Sequence, residues 1–340
     1  EIKECDWSSD VCSSDLVNYL HKTVELETGM SEEKKYRLVT RSDFDGLVCA
    51  VLLKDMNMID DIKFVHPKDM QDGKVEITER DITTNLPYVD GAHLVFDHHL
   101  SETIRNEGQR DNHIIEPDAM SAARVVYNYY GGRERFPKIS EDMMEAVDKA
   151  DAAQFSVDEI LKPSGWVLLN YLMDPRTGLG RFRTFRISNY QLMMDLIDCC
   201  KDMTIEEIME LPDVKARVDL YFEQEELFRE QLRRCSKLYR NLIVLDLRDE
   251  EVIHAGNRFM IYALNPQCNI SIHILWGFQK QNTVFAVGKS IVNRSSKTNI
   301  GELMLKYGGG GHHAAGTCQI DHDRAEAVLK ELIAKITHDG

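Results

Sequence analysis

The chain has 340 residues, 43% of them hydrophobic and 29% charged, with only 8 prolines, enough to bury one or two ordinary cores and too apolar for a disordered, collagenous or disulfide-stapled chain. Its longest apolar run, residues 167–173, falls far short of the roughly 18 to 20 residues of a membrane-spanning helix, so no membrane role is expected. With 57 acidic against 41 basic side chains the net charge is -16, which repels long polyanions and excludes a general duplex-coating role.

Residues 1–16, EIKECDWSSDVCSSDL, have neither the charged start nor the apolar centre of a secretory signal and fit no targeting class. Back-translated, DWSSDVCSSDL reads as an in-frame sequencing-library adapter, so this segment is expected to be foreign to the gene and to supply neither core nor ligand. It holds five acids and one base, and without it the net charge becomes -12. Cys5 and Cys12 leave with it. The remaining cysteines include the adjacent Cys199 and Cys200 but no CxxC, which predicts reduced thiols in a cytoplasmic protein rather than a zinc or disulfide framework.

From Tyr36 the pattern is that of an α/β protein. RLVT predicts a short buried strand, SDFDG a turn, and GLVCAVLLKDM an amphipathic helix. Residues 93–96 predict a second strand that delivers Asp97, His98 and His99 at its carboxyl end, the usual ligand edge of a parallel sheet. Residues 121–130 and 140–150 have helical spacing, the former stopped by Gly131-Gly132. The charged, leucine- and methionine-rich stretch 189–238 predicts helices broken near Leu211-Pro212. After it, LIVLDL, ISIHILWGF and TVFAVGKS predict strands, while IGELMLKY and AEAVLKELIAKI predict helices. The expected organisation is a parallel-sheet catalytic domain over 17–187, a helical connector over 188–240 and a smaller α+β domain over 241–340, with chemistry between the two domains.

Asp43 and Asp45 in SDFDG and the triplet Asp97-His98-His99 are the strongest local signals. Taken singly, a D-x-D in a turn is more often a helix cap. Together at one sheet edge, their carboxylates repel one another unless a divalent cation compensates them. Mixed Asp and His ligands without cysteine suit manganese, with magnesium or iron(II) as alternatives, better than a structural zinc.

These residues resemble the DHH phosphoesterase superfamily, named after the triplet found here at Asp97, His98 and His99. The resemblance runs from about Tyr36 to the C terminus and is weakest through the connector. It implies two metal ions, held by an early D-x-D at Asp43 and Asp45, a lone Asp after a strand at Asp81, the triplet, and a later Asp at Asp151, with Asp148 as the alternative. On that reading Asp81 bridges the ions, Asp43 serves the first, and Asp45, His98 and Asp151 serve the second. Asp97 acts from behind the ligands, His99 binds the phosphate or assists the leaving group, and a hydroxide activated by both ions attacks phosphorus. Arg41 stands where many members carry a histidine; this removes one ligand of the first metal and offers a phosphate contact instead.

Residues 308–316 read GGGGHHAAG, and the four successive glycines, without Cβ atoms, let the backbone approach a ligand closely. They match the substrate-binding motif of the DHH-associated C-terminal domain, which implies that Gly309, Gly310, Gly311, His312 and His313 hold the far end of the substrate. Arg294 is the leading candidate for a further contact, with Lys289, Ser290 and Asn293 beside it. Arg176, Arg181, Arg183 and Arg186, interleaved with Phe182 and Phe185, form a local basic cluster that suits phosphates and a stacked base; a packed segment whose arginines pair with acids explains it equally well. The expected activity is metal-dependent hydrolysis of short phosphorylated nucleotides or oligonucleotides. An exopolyphosphatase, or a nucleotide sensor with an impaired site, is the alternative, and a homodimer is a further expectation.

Overall fold

In the computed structural model, residues 35–99, 110–182 and 184–340 are described; the expectations for residues 1–16 and for Arg183 lie outside them. Five parallel strands, β1 (Tyr36–Arg41), β2 (Ile59–Val65), β3 (Asp81–Thr84), β4 (Leu94–Asp97) and β5 (His113–Ile115), form a sheet in the order β2-β1-β3-β4-β5. In this order the chain reverses its direction of travel between β1 and β3. The carboxyl ends of those two strands therefore flank the crevice in which open α/β sheets bind ligands.

The helix Phe44–Asp55 leaves β1 directly and is buried on every side from Phe44 to Leu53. That corrects the amphipathic expectation. The helix packs against Ala122–Tyr129, Glu141–Asp151 and Asn189–Asp202, so no face is left for water. Its start is tightly fitted, because a Cβ at Gly46 would lie 2.0 Å from the Arg41 carbonyl oxygen.

The connector is helical as expected: Asn189–Asp202, Ile205–Met209 and Pro212–Cys235. Pro212 opens the last of these, where a missing N–H costs nothing. That helix runs straight into a second sheet of β6 (Ser236–Tyr239), β7 (Leu242–Asp246), β8 (Ile270–Trp276), β9 (Thr283–Lys289), β10 (Gly310–His312) and β11 (Ala315–Ile320), ordered β10-β11-β9-β8-β7-β6. The β7–β8 pair is parallel and the rest antiparallel. The helix His322–Asp339 covers it through Ala325, Val328, Leu332 and Ile336, spaced three and four apart. Lys35–Gly340 group as one unit, and one hydrophobic core runs from β1 through the connector to residues 243–268. The two sheets are also joined by Arg294 Nη2 donating to the Ala153 carbonyl at 2.8 Å and Asn257 Nδ2 donating to that of Ile160 at 3.3 Å. Among the described residues no helix is long and apolar enough to cross a membrane.

Candidate metal centre and active site

Asp45 lies in the first turn of the helix after β1, and its side chain faces the start of another helix. Its Oδ2 accepts from the Ala122 amide at 3.0 Å and its Oδ1 from the Ala123 amide at 2.7 Å, which fixes both oxygens at the positive end of Ala122–Tyr129. His98 follows β4. Its Nδ1 donates to the Ala119 carbonyl at 3.2 Å, which turns the buried Nε2 towards Asp151, whose Oδ2 lies 2.9 Å away. A backbone carbonyl holding the far nitrogen is the usual support of a metal-binding imidazole.

Asp45, His98 and Asp151 each offer a ligand atom, all within 4.8 Å of one another, and Asp97, His98 and His99 form an overlapping group. Their electrostatics ask for positive charge. Burial, then Asp151 and Asp43, push Asp45 well above the usual carboxylate range. Burial alone would lower His98, but Asp151, Asp45 and Asp97 outweigh it and hold its proton up to about 9. A dication held by these three side chains would take the place of that proton. Two carboxylates and an imidazole whose buried Nε2 faces one of them fit a hard or borderline divalent ion, and no thiolate is present to select a softer one.

Asp97 is fully buried. Its Oδ1 accepts from the His98 amide at 2.8 Å and lies 2.7 Å from His99 Nδ1, so it shapes the turn and orients His99, while Oδ2 is buried without a partner. Asp43 caps the helix after β1, accepting from the Gly46 amide at 3.0 Å, and its Oδ2 lies 2.9 Å from Arg41 Nε. Burial raises Asp43 and Arg41 pulls it back.

Asp81 is not in this site. It begins β3 rather than following it, paired with Arg37 at the amino edge, and accepts from Arg37 Nε at 2.6 Å, Arg37 Nη2 at 3.0 Å and the Thr78 amide at 2.6 Å. A bridging role for Asp81 is excluded by the length of the strand. The residue that follows β3 is Asn85, 2% exposed and at φ 54°, with Nδ2 3.5 Å from Asp43 Oδ1. Asp148 is also elsewhere, accepting from Ser121 Oγ at 2.7 Å and Arg124 Nε at 2.8 Å.

The arginine cluster divides. Arg181 donates to the carbonyls of Gly178 and His254, Arg186 pairs with Asp213, and Phe185 is covered by Arg217 at 4.1 Å, so these residues belong to packing rather than to a base platform. Arg176 is different. Burial opposes its charge, but Asp174, Asp43 and Asp151 outweigh that and raise its pKa. Arg258, which the sequence analysis missed, sits beside it with Nε 3.7 Å from Asp174 Oδ2; burial and Arg176 lower its pKa to about 10. A cavity of about 680 Å³ opens beside Asp43, lined by Arg41, Lys63, Phe64, His66, Arg176 and Tyr190 among others, within the size range of small-ligand sites.

The glycine segment forms an edge hairpin in which β10 pairs with β11, His312 opposite Ala315, rather than a loop of turned amides. A Cβ at Gly309 would lie 2.1 Å from the Thr317 carbonyl oxygen, so this glycine serves close strand approach. His312 is exposed and His313 lies 3.2 Å from Lys289 Nζ. Arg294 is held by the carbonyls of Ala153 and Ile291. No hydrogen bond or ion pair among the described residues joins the hairpin to Asp45, His98 or Asp151.

No family model matches the chain, and no curated protein matches it. Among solved structures it is similar to the pGpG-specific phosphodiesterase PggH from Vibrio cholerae, with 68% identity and a TM-score of 0.82 over 90% of this chain and 100% of that one. RecJ from Thermus thermophilus in complex with Mn2+ shares the fold, with 14% identity and a TM-score of 0.50 over 90% of this chain and 52% of that one. With Asp45, His98 and Asp151 gathered at the carboxyl edge of the parallel sheet and that identity along nearly its whole described length, the chain belongs to the DHH superfamily of phosphoesterases.

Proposed function

We propose that this protein is a manganese-dependent phosphodiesterase acting on a 5′-phosphorylated dinucleotide such as pGpG. The observation that carries the reading is the Asp45–His98–Asp151 group, with Asp45 buried and the other two half-buried, in a chain 68% identical to a pGpG-specific phosphodiesterase. Carboxylate and imidazole ligands without a thiolate suit manganese better than a structural zinc. A divalent cation held by these three side chains supplies positive charge to the phosphodiester and acidifies water.

The chain's own groups do the rest. Arg41 and Arg176 border the cavity beside Asp43 and neutralise phosphate oxygens, which otherwise repel the incoming water oxygen. Hydrolysis forms a phosphorus–oxygen bond to that water and breaks the one to ribose. The departing oxygen takes a proton from His99, whose Nδ1 is held by Asp97 and whose Nε2 is left for substrate, while the proton given up by the attacking water passes to solvent, from which His99 is reprotonated. Phe64 and Tyr190, edge to face at 5.7 Å, offer aromatic surface for a base in the same cavity. His312 and Gly309–Gly311 are assigned to the far end of the substrate, on a lobe that follows the helical connector.

The experiment is parallel assay of the manganese-loaded protein on pGpG, 3′-phosphoadenosine 5′-phosphate, a cyclic dinucleotide and polyphosphate. pGpG is expected to turn over fastest; preferential loss of terminal phosphate from polyphosphate overturns the reading.

A further inference from the structure

Resting on the phosphodiesterase reading, we propose that the site takes a single divalent cation, on Asp45, His98 and Asp151, and that Arg41 on Asp43 occupies the place of a second ion and supplies its charge. Among the described residues, the groups around Asp43 that a second ion on that side of the crevice would need are already engaged with one another. Asp43 Oδ2 lies 2.9 Å from Arg41 Nε, and Oδ1 accepts from the Gly46 amide at 3.0 Å with Asn85 Nδ2 at 3.5 Å. A carboxylate offers about four acceptor positions, and these three donors surround Asp43. A guanidinium presents only N–H donors and no lone pair to a cation, so unlike a histidine it cannot serve as a metal ligand.

The carboxyl end of β3, opposite Asp43 at the crevice, is where a bridging acid would have to stand. It carries Asn85, whose Nδ2 lies 3.5 Å from Asp43 Oδ1 and whose Oδ1 is buried without a hydrogen bond; a neutral amide brings no negative charge with which to bridge two dications. The one acid on β3, Asp81, is bound to Arg37 and Thr78 at the other edge. Asp43 belongs to neither group of side chains able to share an ion.

The charges agree with this count. Asp45 and Asp151 balance one dication beside a neutral His98. Asp43 is balanced by Arg41, and Asp97 is shared with His99 at 2.7 Å. Among the described residues, a second dication beside Arg41 would face only Asp43, already neutralised. Arg41 thereby becomes a direct contact to the phosphate, and its loss removes transition-state charge stabilisation without removing the ion.

The test uses the full chain, stripped by chelator and reloaded with Mn2+. Bound ions are counted by elemental analysis after gel filtration, with paramagnetic resonance to separate an isolated ion from a spin-coupled pair. The wild type is expected to hold one isolated ion. Arg41→Ala is expected to keep that ion while losing roughly 100-fold in turnover, the scale of a lost charge-stabilising donor. Arg41→His combined with Asn85→Asp frees Asp43 and supplies a bridging acid, and is expected to take up two coupled ions. Two ions per chain in the wild type overturn the inference, as does a folded double variant that still binds one. If the double variant fails to fold by circular dichroism, the wild-type count alone decides. A count of one with no hydrolysis of pGpG sinks the phosphodiesterase reading and leaves the ion count standing.

Discussion

Asp81→Ala separates structure from chemistry at the sheet. The carboxylate is 1% exposed and takes hydrogen bonds from Arg37 Nε, Arg37 Nη2, the Thr78 amide and Thr78 Oγ1 at 2.6, 3.0, 2.6 and 3.1 Å. Bonds to a charged group contribute about 1.5 to 3 kcal/mol each, and breaking a buried ion pair costs about 3 to 5 kcal/mol. The Arg37 side chain is 27% exposed, so water recovers part of the loss, and the expected cost is about 3 kcal/mol. For a unit of this size that corresponds to roughly 6 °C in melting temperature. The bound manganese and the turnover per folded molecule should stay within twofold of wild type, because the carboxylate is at the opposite end of β3 from Asn85. Thermal and urea denaturation, with elemental analysis and initial rates below the transition, read all three. A variant that melts like wild type but has lost its ion or its turnover would refute this placement of Asp81.

His312→Ala is expected to retain manganese and the hydrolysis of bis-p-nitrophenyl phosphate, which is too short to span the lobes, while turnover of pGpG falls; equal loss on both substrates contradicts the assignment of His312 to the far end. Gly46→Ala places a Cβ 2.0 Å from the Arg41 carbonyl and should cost about 1 to 3 kcal/mol in urea titrations; an unchanged midpoint would mean that the start of the helix relaxes freely. His273 is lowered by desolvation from 6.5 to about 4, so the unfolded chain binds the proton more readily than the folded one. Its contribution is fully present above pH 6.5 and is lost as pH falls towards 4, by up to about 3 kcal/mol. His273→Gln should flatten that part of the stability–pH curve, and a parallel curve would show that His273 is not the titrating group.

The metal-binding turn was legible because each acid or imidazole follows an apolar strand, a local pattern that places Asp43, Asp45, Asp97 and His98 on one edge. The same rule applied strictly to ERDITTNLP would have passed over Asp81, which precedes its strand, and found Asn85. Asp148 and Asp151 lie three apart on one helix, Glu141–Asp151, and local spacing cannot divide them. Arg124 and Ser121, distant in sequence, capture the first and leave the second to His98. Arg258 was invisible for the same reason, since its value comes from Asp174 and Arg176 across the fold. The strand β10 was hidden because glycine carries no alternation of side chains from which a strand is read, and β11 supplies the contacts that make it one. The all-round burial of Phe44–Asp55 was half visible in LVCAVLL, an apolar run too continuous for a surface helix.

The most direct test of the account is the rate of pGpG hydrolysis by chelator-stripped protein before and after Mn2+ is restored, for wild type and for Asp45→Asn side by side. The account predicts no turnover without the ion, full recovery in the wild type, and no recovery in Asp45→Asn, whose Nδ2 can neither accept from one of the Ala122 and Ala123 amides nor ligate the ion. Hydrolysis that persists in chelator, or an Asp45→Asn variant that recovers like the wild type, would contradict it.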